Sequence, residues 1–203
     1  MTDYELIRSK RRSLELRVLE DGRVQVRAPQ RAPLRMVQAF VDSRRQWIRS
    51  QQLHQASRPR QRWQDGASFQ FRGQPLIMDV SAGRSAVAVS GGYLQVRVPK
   101  PENEAAVQQA VEGWLRKQAR ALFEDSITRQ FPWFARQGYG QPVLRVKKMR
   151  TRWGSLSARG YINLNMALLH YPPAALDYVV MHELCHLQHM DHGPGFHALM
   201  DAR

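Results

Sequence analysis

The sequence predicts an α+β protein in two lobes. A β-rich, basic N-terminal lobe occupies residues 1–100, and a second lobe over 101–203 holds a long helix, a β-hairpin and a helix carrying His-Glu-x-x-His. Three observations lead there. Residues 13–27 alternate apolar and polar around a turn with a glycine, the signature of a hairpin. Several short alternating runs with glycines between them fill residues 69–98. Beyond Pro99-Lys100-Pro101 the apolar period changes to that of a helix.

The elements follow in order. Ser13–Leu19 and Val24–Arg27 form the first hairpin around Glu20-Asp21-Gly22-Arg23, and Ala28-Pro29 ends it. Met36, Val37, Phe40, Val41, Trp47, Ile48 and Leu53 recur at helical spacing, predicting one helix from Leu34 to about Leu53 with Arg44, Arg45 and Arg49 on its outer side. Ala56–Arg62 is polar and basic with a proline, so a loop is expected. Strands over 69–73, 76–80, 86–89 and 93–98 predict a meander or small curved sheet. A helix then runs from about Glu102 to Arg136 on a stripe that includes Val107, Val111, Leu115, Ala119, Phe123 and Ile127, with a break or kink at Pro132. A strand over 143–149 precedes a second hairpin, 151–157 with 161–165, turning at Ala158-Arg159-Gly160. No internal repeat is visible.

Directly after that hairpin comes Val179-Val180-Met181-His182-Glu183-Leu184-Cys185-His186-Leu187. In a helix, His182 and His186 project from one face, four residues apart, where two imidazoles share one zinc ion. Glu183, one residue on, is placed to take a proton from water on that ion and is not itself a ligand. Pro172-Pro173 opens the helix and Gly193-Pro194 reads as its stop. Cys185 turns off the histidine face and reads as a small buried residue behind it.

The net charge is +14, and its placement matters more than its size. Residues 1–63 carry 15 Lys/Arg against 6 Asp/Glu, whereas 152–203 carry 3 against 4. A basic lobe attracts polyanions, so weak, sequence-independent nucleic-acid contact is the expected partner there, set against a merely solvated arginine-rich face. No apolar run approaches twenty residues and the start has no h-region, so neither a membrane partner nor a secretory signal is expected. The single cysteine fits a reducing cytoplasm.

Several stretches together resemble the YgjP-like metallopeptidase family, a relative of the SprT-like proteases within the zincin group. They are Arg152-Trp153-Gly154-Ser155, Gly160-x-Ile162-x-Leu164-Asn165, Asp177-Tyr178-Val179-Val180-x-His182-Glu183-Leu184-Cys185-His186-Leu187, and His192-Gly193-x-x-Phe196. Arg8-Ser9-Lys10-Arg11 and Trp47-Ile48 resemble it too, so the likeness spans nearly the whole chain. Leu156 stands where the family usually has cysteine, and His197 where a tryptophan is common; the chain also reaches Arg203 sooner than the resemblance implies. The resemblance implies a zincin-like second lobe and a zinc-dependent peptidase acting on peptides or proteins. It also implies that the hairpin forms the upper rim of the cleft, where Trp153, Gly154 and Ser155 would touch a substrate added as a strand.

A catalytic zinc takes a third protein ligand. No glutamate follows Glu183, which leaves Asp191, Asp201, His189, His192 and His197 by residue type. On a continuing helix His189 would sit about one turn beyond His186 at 1.5 Å rise per residue, too far to share the ion. The resemblance implies His192. Tyr139, Arg152, Tyr161, His170 and Tyr171 stay open as the group that polarises the scissile carbonyl. Two rival functions accompany this reading: a protease acting near DNA, motivated by the basic lobe, and a non-catalytic metal-binding domain, against which the retention of Glu183 argues.

Overall fold

The computed structural model describes residues 3–19, 21–56 and 61–203. The fold is mixed α+β, with three small sheets and six α-helices among the described residues. Two compact units divide at Arg60/Gln61, not at the expected 100/101.

The first unit is a three-stranded sheet with two helices. Strands β2 (Glu15–Val18) and β3 (Val24–Pro29) pair antiparallel, as the hairpin pattern requires. A strand the alternation did not reveal, β1 (Glu5–Ser9), pairs parallel to β3 on its other edge. The single helix expected over 34–53 is two, α1 (Leu34–Ser43) and α2 (Arg45–Ala56). Arg44 leaves helical geometry at φ −111°, ψ 10°, and Arg45 bridges the break by an ion pair to Asp42 at 2.7 Å. The break lets Ile48 rejoin the core that Val37 and Val41 form with Val24 and Val26. The loop expected over 56–62 falls largely outside the described residues.

The second unit opens with β4 (Ser68–Phe71), β5 (Gln74–Ala82), β6 (Ala86–Ser90) and β7 (Tyr93–Val98). Their order is β4-β5-β7-β6, with β5 parallel to β7, so the sheet is not a meander. Phe69, Leu76, Met78, Leu94, Val96 and Val98 point inward, as strict alternation dictates, and meet α3 (Glu104–Gln130). Asn103 caps α3 by accepting from the backbone N–H groups of Ala105 and Ala106. Val107, Val111, Leu115, Ala119, Phe123 and Ile127 are all buried along it. The helix ends at Gln130, with the short α4 (Pro132–Arg136) turning away, as a proline at that point demands.

This packing explains the division at 60/61: Phe69, Phe71, Leu76, Met78, Leu94, Val96 and Val98 belong to the same core as α3. The β4–β5 turn is also tied forward. Arg72 N–H donates to the Leu169 carbonyl (2.7 Å) and Gly73 N–H to that of His170 (3.3 Å). Gly73 has φ +77°, and a Cβ there would lie 2.7 Å from Pro172 Cγ, so only glycine fits.

The third sheet comprises β8 (Val143–Lys147), β9 (Gly154–Leu156) and β10 (Tyr161–Asn165) in the order β8-β10-β9, with β8 parallel and β9 antiparallel to β10. A 3₁₀ helix (Met166–His170) leads into α5 (Pro173–Cys185), and α6 (Pro194–Asp201) follows. Gly193-Pro194 therefore starts α6, with Gly193 as its N-cap, and does not stop α5. Among the described residues no helix is long and apolar enough to cross a membrane.

Candidate active site

α5 begins with proline in its first turn and buries Leu176, Val180 and Leu184. Asp177 fixes its register on α3. It accepts from Ser126 Oγ (2.6 Å) and Arg129 Nη2 (2.8 Å), and Gln130 Nε2 donates to its carbonyl (3.1 Å). This clamp lies just over one turn ahead of His182.

After Cys185 the chain tightens. Leu187 N–H donates to Leu184 O, and Gln188 and His189 N–H both donate to Cys185 O, at 2.9 to 3.1 Å. The helix thus closes with His186 as its C-cap. The chain then folds back, so that His192 Nε2 lies 3.1 Å from His182 Nε2. One ring nitrogen from each of His182, His186 and His192 lies within 4.8 Å of the others. Phe196, buried at the start of α6, packs all three imidazoles, with ring centroids 4.8–4.9 Å away.

Local contacts bear on how His186 and His182 are presented to a cation. His186 Nδ1 lies 2.8 Å from the His189 carbonyl. A carbonyl only accepts, so Nδ1 is the donor in this contact and Nε2 is the nitrogen left to act as a ligand. Burial pushes the His182 pKa down, and the neighbouring His186, His192 and His197 push it the same way, favouring neutral imidazole. Three imidazole nitrogens facing one point fit the donor preference of zinc.

Glu183 is 4% exposed, and its Oε2 has no hydrogen-bond partner among the described residues. Burial raises its pKa to about 7, against the pull of the Leu156 N–H and the Arg152 charge. Gly154 makes room for it: a Cβ there would stand 2.5 Å from Glu183 Oε1 and 2.8 Å from Cγ. The β9 backbone thus rests directly on the carboxylate.

Residues 12–203 match the family described as YgjP-like, metallopeptidase domain. The chain belongs to this family. No curated protein matches it. The departure at Leu156 falls where this YgjP-like domain uses the backbone: the Leu156 N–H reaches Glu183 whatever the side chain. His197, at the other departure, is exposed and edges Phe196 without joining the three-nitrogen cluster. Cys185 is fully buried, its thiol pushed up to about 11 by burial.

The structure brings Gly154 to the site but separates its neighbours. Ser155 turns to Asn163, whose Nδ2 donates to the Ser155 carbonyl and hydroxyl oxygens (3.2 and 3.1 Å). Trp153 is 46% exposed and packs edge-on with Tyr171. Among the five carbonyl-polarising candidates, Tyr161 lies under the Arg145 guanidinium, His170 Nδ1 bonds the Gln70 carbonyl, and Tyr139 packs on the core. Arg152 acts on Glu183 by its charge, and Tyr171 packs against Trp153.

Sequence reasoning missed three supports: the Leu156 N–H, the His189 carbonyl and Asn165. The Asn165 amide donates to the Met149 and Arg152 carbonyls (2.8 and 2.9 Å) and accepts from Ala167 N–H (3.1 Å), locking the segment that leads into β9. The first two are backbone groups with no residue signature. The third was visible as a motif asparagine without a role.

Proposed function

We propose that this YgjP-like domain is a zinc-dependent metallopeptidase that hydrolyses peptide bonds. One observation carries the reading: three histidine nitrogens converge within 4.8 Å beside a buried glutamate. His182, His186 and His192 would hold the ion. Bound zinc supplies a Lewis acid that activates water near neutral pH and polarises a carbonyl. Glu183 takes the proton from the attacking water as its oxygen bonds to the scissile carbon. It then delivers that proton to the amide nitrogen as the C–N bond breaks, leaving a carboxylate and an amine. The site's zincin-like arrangement gives β9 the role of a rim. Ser157 N–H donates to the Tyr161 carbonyl and Asn165 N–H to the Trp153 carbonyl, so Ser155 is in a bonded pair with Asn163 of β10. The backbone groups of Gly154 and the Leu156 carbonyl therefore face the other edge, where an extended peptide adds as a strand. A lone, buried cysteine suits a reducing cytoplasm.

The test is Glu183→Gln. It is expected to bind zinc at wild-type stoichiometry and to lose hydrolysis by roughly a hundredfold or more. Wild-type turnover in that variant would remove Glu183 from the mechanism.

A second proposal concerns the first unit, where nucleic-acid contact is favoured by one feature. Arg8 Nη1 donates to the Pro29, Gln30 and Ala32 carbonyls (3.3, 2.9 and 2.9 Å), clamping two turns together. Exposed Lys10, Arg12 and Arg31 ring the concavity of about 470 Å³ between them. Cations spaced around a concave surface suit phosphates.

A further inference from the structure

A second feature of the active-site unit has no role in the steps above. A groove of about 380 Å³ runs beside the histidines, walled by Tyr178, Met181, His182, His192, Phe196 and Met200. We infer that it receives a large, uncharged apolar side chain of the peptide, next to the bond that is cut. The inference rests on the peptidase reading.

Continuity places the groove. His182 and His192 form one of its walls, so a side chain lying in it stands against the residues proposed to hold the ion. Tyr178 precedes His182 by one helical turn on the same face, its ring 6.5 Å from the imidazole. That ring is 63% exposed. With Met181, Phe196 and Met200 in the same groove, Tyr178 is part of a contiguous apolar patch and not a lone exposed ring.

The lining chemistry selects the occupant. Phe196, Met181 and Met200 give an apolar, polarisable surface, and the two thioethers adapt to different shapes. The charges at the margin cancel. Asp177 is neutralised by Arg129. Asp201 and Arg203 oppose one another in sign, and the Arg203 guanidinium lies over the Trp133 ring at 4.1 Å. No net charge remains to attract a lysine or an aspartate, whereas desolvating either would cost free energy. The volume takes a phenylalanine, leucine or methionine side chain, and a small side chain would leave it unfilled.

The experiment uses the full chain and peptides that differ at one residue, Ala, Phe, Asp or Lys, on either side of a fixed bond. At one of the two positions kcat/KM for Phe is expected to exceed that for Ala by about tenfold or more, with Asp and Lys below Phe. Tyr178→Asp, at an exposed position, places a carboxylate in the groove. It is expected to shrink the Phe:Ala ratio by about tenfold and to raise Lys relative to Phe. A second readout is independent of turnover: fluorescence anisotropy of the same peptides on Glu183→Gln, where Phe should bind more tightly than Ala and Tyr178→Asp should abolish the difference. Equal binding and equal kcat/KM across the series overturn the inference. So does a Phe preference that Tyr178→Asp leaves unmoved at full zinc content. Failure of the peptidase reading looks different, since it is the absence of any cleavage by the zinc-loaded wild type, while the anisotropy comparison still decides what the groove holds.

Discussion

His189, His192 and His197 are chemically identical as ligands, and only position distinguishes them. The His192 nitrogen lies in the cluster, and the other two side chains do not. His189 nevertheless contributes, through its carbonyl, which orients His186. That contact survives loss of the imidazole. His192→Ala is therefore expected to lose zinc about as severely as His182→Ala, while His189→Ala and His197→Ala largely keep it. Zinc stoichiometry after dialysis decides this. Full occupancy in His192→Ala together with loss in His197→Ala would move the role to His197.

At the scale of elements, the site depends on how closely β9 approaches α5, and Gly154 sets that distance. A methyl group there would overlap Glu183, and a displacement of about 1 Å at a reacting group costs up to a hundredfold in rate. Gly154→Ala is expected to retain zinc, because no histidine contact passes through it, yet to lose at least about tenfold in kcat/KM. Unaltered kcat/KM would mean that β9 moves away freely and that its contact with Glu183 is incidental. α5 has the opposite dependence. It is held from behind, through Asp177 and the buried Leu176, Val180 and Leu184, so its histidines project from a fixed base.

Across the whole molecule one topology recurs. In each sheet a first strand pairs parallel to a third, the second strand lies antiparallel on the far side of the third, and a helix comes next. β4 adds an edge strand to the middle copy only. The copies diverge in charge, with the excess of Lys/Arg in the first unit and near-neutrality around the histidines. If the first unit contacts phosphates, DNA retention on the immobilised protein should be sequence-independent and fall steeply with salt, with a log–log slope of about −0.9 per phosphate neutralised. Lys10→Glu combined with Arg12→Glu and Arg31→Glu should reduce that slope. No retention at low salt removes nucleic acid as a partner.

Local pattern alone determined a large part of this protein. The first hairpin, the stripe of α3, the strands of the second sheet and the pairing of His182 with His186 follow from periods of 2 and 3.6, which any chain carries in its residue order. Position relative to partners was decided by the tertiary structure. β1 and the insertion of β7 between β5 and β6 depend on pairing between distant segments, which leaves no local trace. The break at Arg44 arises because Ile48 must face the same sheet as Val41, and the 60/61 division because β4–β7 find their apolar partner in α3. The third histidine shows the same split. Residue type left several candidates, and the choice among them came from a chain reversal after Cys185, whose stabilising groups are backbone carbonyls and a buried Phe196. Backbone groups are the same at every position, so their roles become readable only once the chain has folded around them.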